Sequence, residues 1–103
     1  MNAAIENKLS DIRALCAKHG VRKLSVFGSA TSDQFDPTRS DVDVLVEFQP
    51  MPPAQHADGY FALVADLERL FGRPVDLVER GAIDNPYFRR AVERSEMVLY
   101  HVA

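Results

Sequence analysis

From position 41 the chain reads Asp-Val-Asp-Val-Leu-Val-Glu-Phe, an alternation of acids with β-branched residues that predicts a half-buried strand from about Asp41 to Phe48. Successive strand side chains point to opposite faces. Val42, Val44 and Val46 therefore share one face, while Asp41, Asp43, Leu45 and Glu47 share the other. Two carboxylates so placed can grip one cation. Shortly upstream, a second apolar run ends in Phe27-Gly28-Ser29. Gly28 permits a close backbone approach, and the amides of Gly28 and Ser29, with the Ser29 hydroxyl, are candidate donors to phosphate oxygens. The two segments together suggest a metal-nucleotide site.

The rest of the chain supplies a frame for that pair. Ile5, Leu9, Ile12 and Cys16 recur at helical spacing, and His19-Gly20 closes the helix they form. A strand from Arg22 to Phe27 follows, then a polar loop over Thr31 to Ser40 with room for one helical turn after the Gly-Ser pair. Pro50, Pro52 and Pro53 mark a connection to a second amphipathic helix carrying Tyr60, Leu63, Val64, Leu67 and Leu70, which Phe71-Gly72 ends. Pro74 to Val78 reads as a short strand, and Asn85-Pro86 as a helix start, with Phe88 and Val92 facing inward. Met97 to Tyr100 fits either a short strand or a helix. Strands separated by helices imply an α/β (α+β) fold: one domain over residues 1–103, with a small mixed sheet, helices on one face and the other face open for chemistry.

Asp76 lies between Val75 and Leu77, the natural inward residues of its strand, so it should project to the same open face as Asp41 and Asp43. Three carboxylates would then converge. Magnesium suits such a set, because it takes oxygen ligands and combines one or two carboxylates with substrate phosphates. Asp76 is the candidate to orient or deprotonate an attacking hydroxyl.

Composition narrows the function classes. With 103 residues there is little room for a separate substrate-binding module, and 47% hydrophobic with 26% charged residues suits a globular domain. A net charge of −3 argues against stable binding to nucleic acid. No apolar run reaches membrane-spanning length, and the first residues lack the basic segment and apolar core of a signal peptide, so a cytoplasmic protein is expected. Cys16, on the apolar stripe, reads as a small core residue. His19, His56 and His101 show no ligand spacing, and Arg89, Arg90 and Arg94 read as a solvated helical face with contact to an acidic partner as the second reading. Ser29 lacks the flanking pattern of a hydrolase nucleophile.

Gly28-Ser29, Asp41-x-Asp43 and Asp76 within Pro74-Val75-Asp76-Leu77-Val78 together resemble the minimal nucleotidyltransferase family of the DNA polymerase β superfamily. The resemblance covers nearly the whole chain. It implies the polymerase β-like palm fold and magnesium-dependent transfer of AMP from ATP, with Asp41, Asp43 and Asp76 as catalytic and metal-holding residues, two magnesium ions, and Gly28 and Ser29 on the nucleotide. It also implies the setting of an antitoxin encoded beside a HEPN-domain toxin, with which it would form a hetero-oligomer and which such enzymes inactivate by adding AMP to a tyrosine. Where many relatives carry a basic residue soon after Gly-Ser, this chain has Ala30-Thr31-Ser32-Asp33, so that either Arg39 or a charge from the partner is the candidate substitute phosphate contact. That departure motivates an alternative, a non-catalytic antitoxin that neutralises its partner by binding. Transfer to a small molecule ranks below both, since relatives that do so carry an additional domain.

Overall fold

The computed structural model describes residues 3–31 and 41–102, without the side chains of residues 29 and 30. Helices α1 (Ala3–Glu6) and α2 (Leu9–Lys18) lead into strand β1 (Val21–Phe27) and a 3-10 turn (Gly28–Thr31). Strand β2 (Val42–Phe48), helix α3 (Pro53–Phe71) and strand β3 (Val75–Glu79) follow. A second 3-10 turn (Arg80–Ala82), helix α4 (Pro86–Ser95) and strand β4 (Met97–His101) complete the described chain.

The sheet order is β3-β2-β1-β4. β1 is antiparallel to both β2 and β4, whereas β2 and β3 run parallel, since α3 carries the chain from the end of one back to the start of the other. The sheet is therefore mixed. Its main core lies under α1, α2 and α3, where Ile5, Ile12, Cys16, Leu63 and Leu67 close over Leu24, Val26, Val42, Val44 and Val46. Leu63 and Leu67 are fully buried, and each such side chain contributes about 1.5–3 kcal/mol relative to leaving it in water. Burial pushes the Cys16 thiol up to about 12, so it is a protonated core group and no nucleophile.

Several local readings are refined. The first helical stripe is divided at Asn7–Lys8, where the Lys8 N–H bonds to Ile5 O, three residues back. That tightened turn separates α1 from α2 while Ile5, Ile12 and Cys16 stay on one buried face. α3 starts at Pro53, earlier than its apolar pattern suggests, because proline at the first helical position loses nothing by lacking a donor. It ends at Gly72, whose φ of 69° is the left-handed conformation that closes a helix. Met97–His101 is a strand, hydrogen-bonded to β1. His19 and His56 both have structural partners, Asp66 at 2.6 Å and Glu79 at 2.5 Å.

The opposite face of the sheet, expected to be open, is roofed in part. Phe27, Leu45, Ile83 and Val92 form a second, smaller core there, brought down by the Arg80–Ala82 turn and α4. Phe88 packs edge-on against Phe27, with ring centroids 6.2 Å apart, yet remains 42% exposed, so Val92 is the inward residue and Phe88 only half so. No described helix is long and apolar enough to cross a membrane.

Candidate active site

What α4 leaves uncovered is the end of the sheet where β1 stops and β2 and β3 begin. Asp43 pairs with Phe27 on one side and with Asp76 on the other. Paired residues on neighbouring strands lie on the same face, and the strands are about 4.7–4.9 Å apart, so Asp43 and Asp76 stand side by side. Asp41 precedes β2 on the same face and is exposed, as is Asp76. The electrostatics register the crowding. Burial raises the Asp43 pKa above the ordinary carboxylate value, and the charges of Asp76 and then Asp41 raise it further.

Gly28 borders this group from β1. Its φ is 67°, and a Cβ placed on it would lie 2.8 Å from Asp43 Oδ2. Any larger residue would strain this backbone and press on the Asp43 carboxylate. Gly28→Ala is expected to cost about 1–2 kcal/mol in the left-handed backbone and to displace the Asp43 carboxylate. A thermal melt alongside a transfer assay checks this, and unchanged values in both would refute the close packing.

The Gly28 N–H was read from sequence as a phosphate donor. In the structure it donates to Ser95 Oγ at 3.0 Å, at the end of α4. This amide is engaged within the protein, so what Gly28 offers the site is the missing side chain. The Ser29 hydroxyl and the whole of Arg39 lie outside the described residues. Ser95 and its neighbour Glu96 were missed by sequence reasoning. Glu96 accepts from Ser25 Oγ at 2.6 Å and from Arg80, and Arg80 also reaches Glu47 at 3.2 Å. The end of α4 thus fixes β1 at Ser25 and the following turn at Gly28, beside Asp43. Only the polar pair Ser95-Glu96 at the end of an amphipathic helix hinted at it.

Among the described residues, no three or more His, Cys, Asp or Glu side chains are gathered closely enough to hold an ion as they stand. The residues nevertheless fit a divalent cation on chemical grounds. Asp43 and Asp76 are oxygen donors on one face, their mutual repulsion is relieved by positive charge, and Gly28 leaves the space beside Asp43 free of a side chain.

An acid pair in register on adjacent strands, beside a glycine turn, has the donor chemistry for a divalent cation and the open space beside it for a ligand. Residues 10–98 match the family model described as nucleotidyltransferase domain. The chain belongs to the nucleotidyltransferase domain family. It is 39% identical over 82 residues to a Methanocaldococcus jannaschii protein named "Putative protein adenylyltransferase MJ0128", the match covering 79% of each chain. A solved minimal nucleotidyltransferase structure superposes with a TM-score of 0.65 at 31% identity, covering 90% of both chains. At 16% identity the fold is also that of the MNT antitoxin solved in complex with a tri-AMPylated HEPN toxin from Shewanella oneidensis, with a TM-score of 0.64 over 94% of this chain and 72% of that one. The resemblance read from Gly28-Ser29, Asp41-x-Asp43 and Asp76 is borne out at the level of family and fold. This nucleotidyltransferase is an enzyme, and its mixed sheet is the minimal nucleotidyltransferase fold.

Proposed function

We propose that this nucleotidyltransferase is a protein adenylyltransferase that transfers AMP from ATP to a tyrosine of a HEPN-domain toxin encoded beside it, and so acts in the cytoplasm as an antitoxin. The observation that carries the reading is the paired register of Asp43 and Asp76 beside Gly28. The relative named for protein adenylyl transfer supports the reaction type, and the fold shared with an antitoxin of a HEPN toxin supports the partner.

Asp41, Asp43 and Asp76 would hold two magnesium ions, which when bound neutralise the triphosphate and favour displacement at the α-phosphorus. The chain's own residues orient the reactants. Gly28 admits the phosphates next to Asp43, and Ser29 and Arg39 are the side chains the sequence offers to contact them. Asp76, exposed at the start of β3, takes the proton of the tyrosine hydroxyl as its oxygen bonds to the α-phosphorus and pyrophosphate leaves. Its exposure suits a group that must meet another protein.

Incubation with labelled ATP, magnesium and the HEPN-domain protein of the neighbouring gene should label that protein, with an AMP adduct on tyrosine by mass spectrometry. Labelling that persists in the Asp41→Ala, Asp43→Ala variant would refute the mechanism. Neutralisation of the toxin by that variant without labelling would instead establish the binding-only reading, for which the Ala30-Thr31 departure from the basic pattern is the specific motive.

A further inference from the structure

Helix α4 is unusual in this molecule for how little of it is covered. Of its residues only Val92 is buried, and Phe88 and Ser95 complete the inward stripe at positions 88, 92 and 95. On the other side, positions 87, 90 and 94 fall on one stripe of a 3.6-residue helix. They are Tyr87, Arg90 and Arg94, all exposed. Tyr87 is 75% exposed, the highest value among the exposed large hydrophobic side chains, and the Arg90 guanidinium lies 5.7 Å over its ring.

The helix carries three arginines against one glutamate, in a chain of net charge −3. Arg89 is spent within the protein, donating to Ile83 O. Arg90 and Arg94 meet no carboxylate among the described residues. The arginines that hold the fold together are therefore distinct from those that face outward.

We propose that the Tyr87–Arg90–Arg94 stripe is the docking surface for an acidic patch on the acceptor protein. The inference deepens the proposed function and rests on its claim that the acceptor is a protein. Position favours it, because α4 abuts the site wall through Ser95 on Gly28 and Phe88 on Phe27, so a protein seated on the outer stripe of this helix lies against the element that borders the site. Chemistry favours it as well. Tyrosine and arginine supply most strong anchors at protein interfaces, and a stacked Tyr–Arg pair presents a rigid aromatic body with a cation ready to meet a carboxylate. Two outward-facing arginines are too few for a polynucleotide, whose binding draws on many phosphate contacts.

The test uses the full chain and the HEPN-domain protein of the neighbouring gene. Arg90→Glu with Arg94→Glu is expected to weaken their association by at least about tenfold in calorimetry, to flatten its salt dependence, and to raise the acceptor KM with kcat held. Magnesium-ATP affinity and melting temperature should not move. The milder Arg90→Gln, Arg94→Gln pair, which keeps the helix surface polar and uncharged, should give a smaller loss in the same direction. Unchanged affinity in a folded variant overturns the docking surface, as does failure of the wild-type proteins to associate. So does a variant that loses affinity for a short single-stranded RNA while keeping that for the HEPN protein. Association without AMP transfer would refute the transferase reading alone, and the charge-reversed pair would still decide the docking surface.

Discussion

Asp43→Asn is expected to lower nucleotidyl transfer by at least about 10²–10³-fold, the scale lost when one electrostatic contributor to a transition state is removed, while leaving the protein as stable as before or more so. The two effects have one origin. Asp43 is held where burial, Asp76 and Asp41 all oppose its ionisation. Its folded pKa lies above the unfolded value, so the folded state pays for its charge once the pH exceeds that folded pKa, and the penalty vanishes below the unfolded carboxylate range. At neutral pH the asparagine removes the penalty along with the activity. Thermal melts across the acid range should show the variant level with or above the wild type near neutrality, the two converging as the pH falls. A clear drop in its neutral melting temperature would mean that Asp43 holds the fold together, and wild-type transfer rates would remove it from the site. Conflict between local stability and function is expected of an active site.

How much of this was legible beforehand follows from which contacts are local. The alternation from Asp41 to Glu47 gave both faces of β2, because period two is written in the residues themselves. Asp76 was placed on the right face by Val75 and Leu77, but its register opposite Asp43 depends on a parallel pairing that α3 closes, and no spacing encodes that. Met97–Tyr100 stayed ambiguous because four apolar residues suit a strand or a helical turn, and only pairing with β1 decides. The roof over Leu45 was missed for a similar reason. Ile83 and Val92 meet it across more than thirty residues of sequence, and α4 shows its burial at little more than Val92. Ser95 and Glu96 offered no more than a polar pair at a helix end, since their partners Gly28 and Ser25 lie 67 and 71 residues away.

Glu96→Ala should expose the worth of that hidden junction, with a loss of about 2–3 kcal/mol at neutral pH. Ser25 is 1% exposed and its hydroxyl donates to Glu96, so the alanine leaves a buried polar group without its acceptor and Arg80 with Glu47 alone. Burial by itself would raise the Glu96 pKa. The hydrogen bonds from Arg80 and Ser25, with the charges of Arg80 and Lys23, overcome this and hold it below the ordinary carboxylate value. A depressed folded pKa stabilises the protein above the unfolded value, and that contribution is lost as the pH falls through the folded one. Urea unfolding should therefore show a lower midpoint for Glu96→Ala at neutral pH with an unchanged slope, and the difference from wild type should shrink in acid. A loss of the same size at every pH would assign it to packing and remove the ion network from the account. Because Ser95 sits on the adjacent position and holds the Gly28 amide, the same substitution should also slow transfer without touching any of the three acids, linking the stability of the α4 terminus to the geometry of the glycine turn.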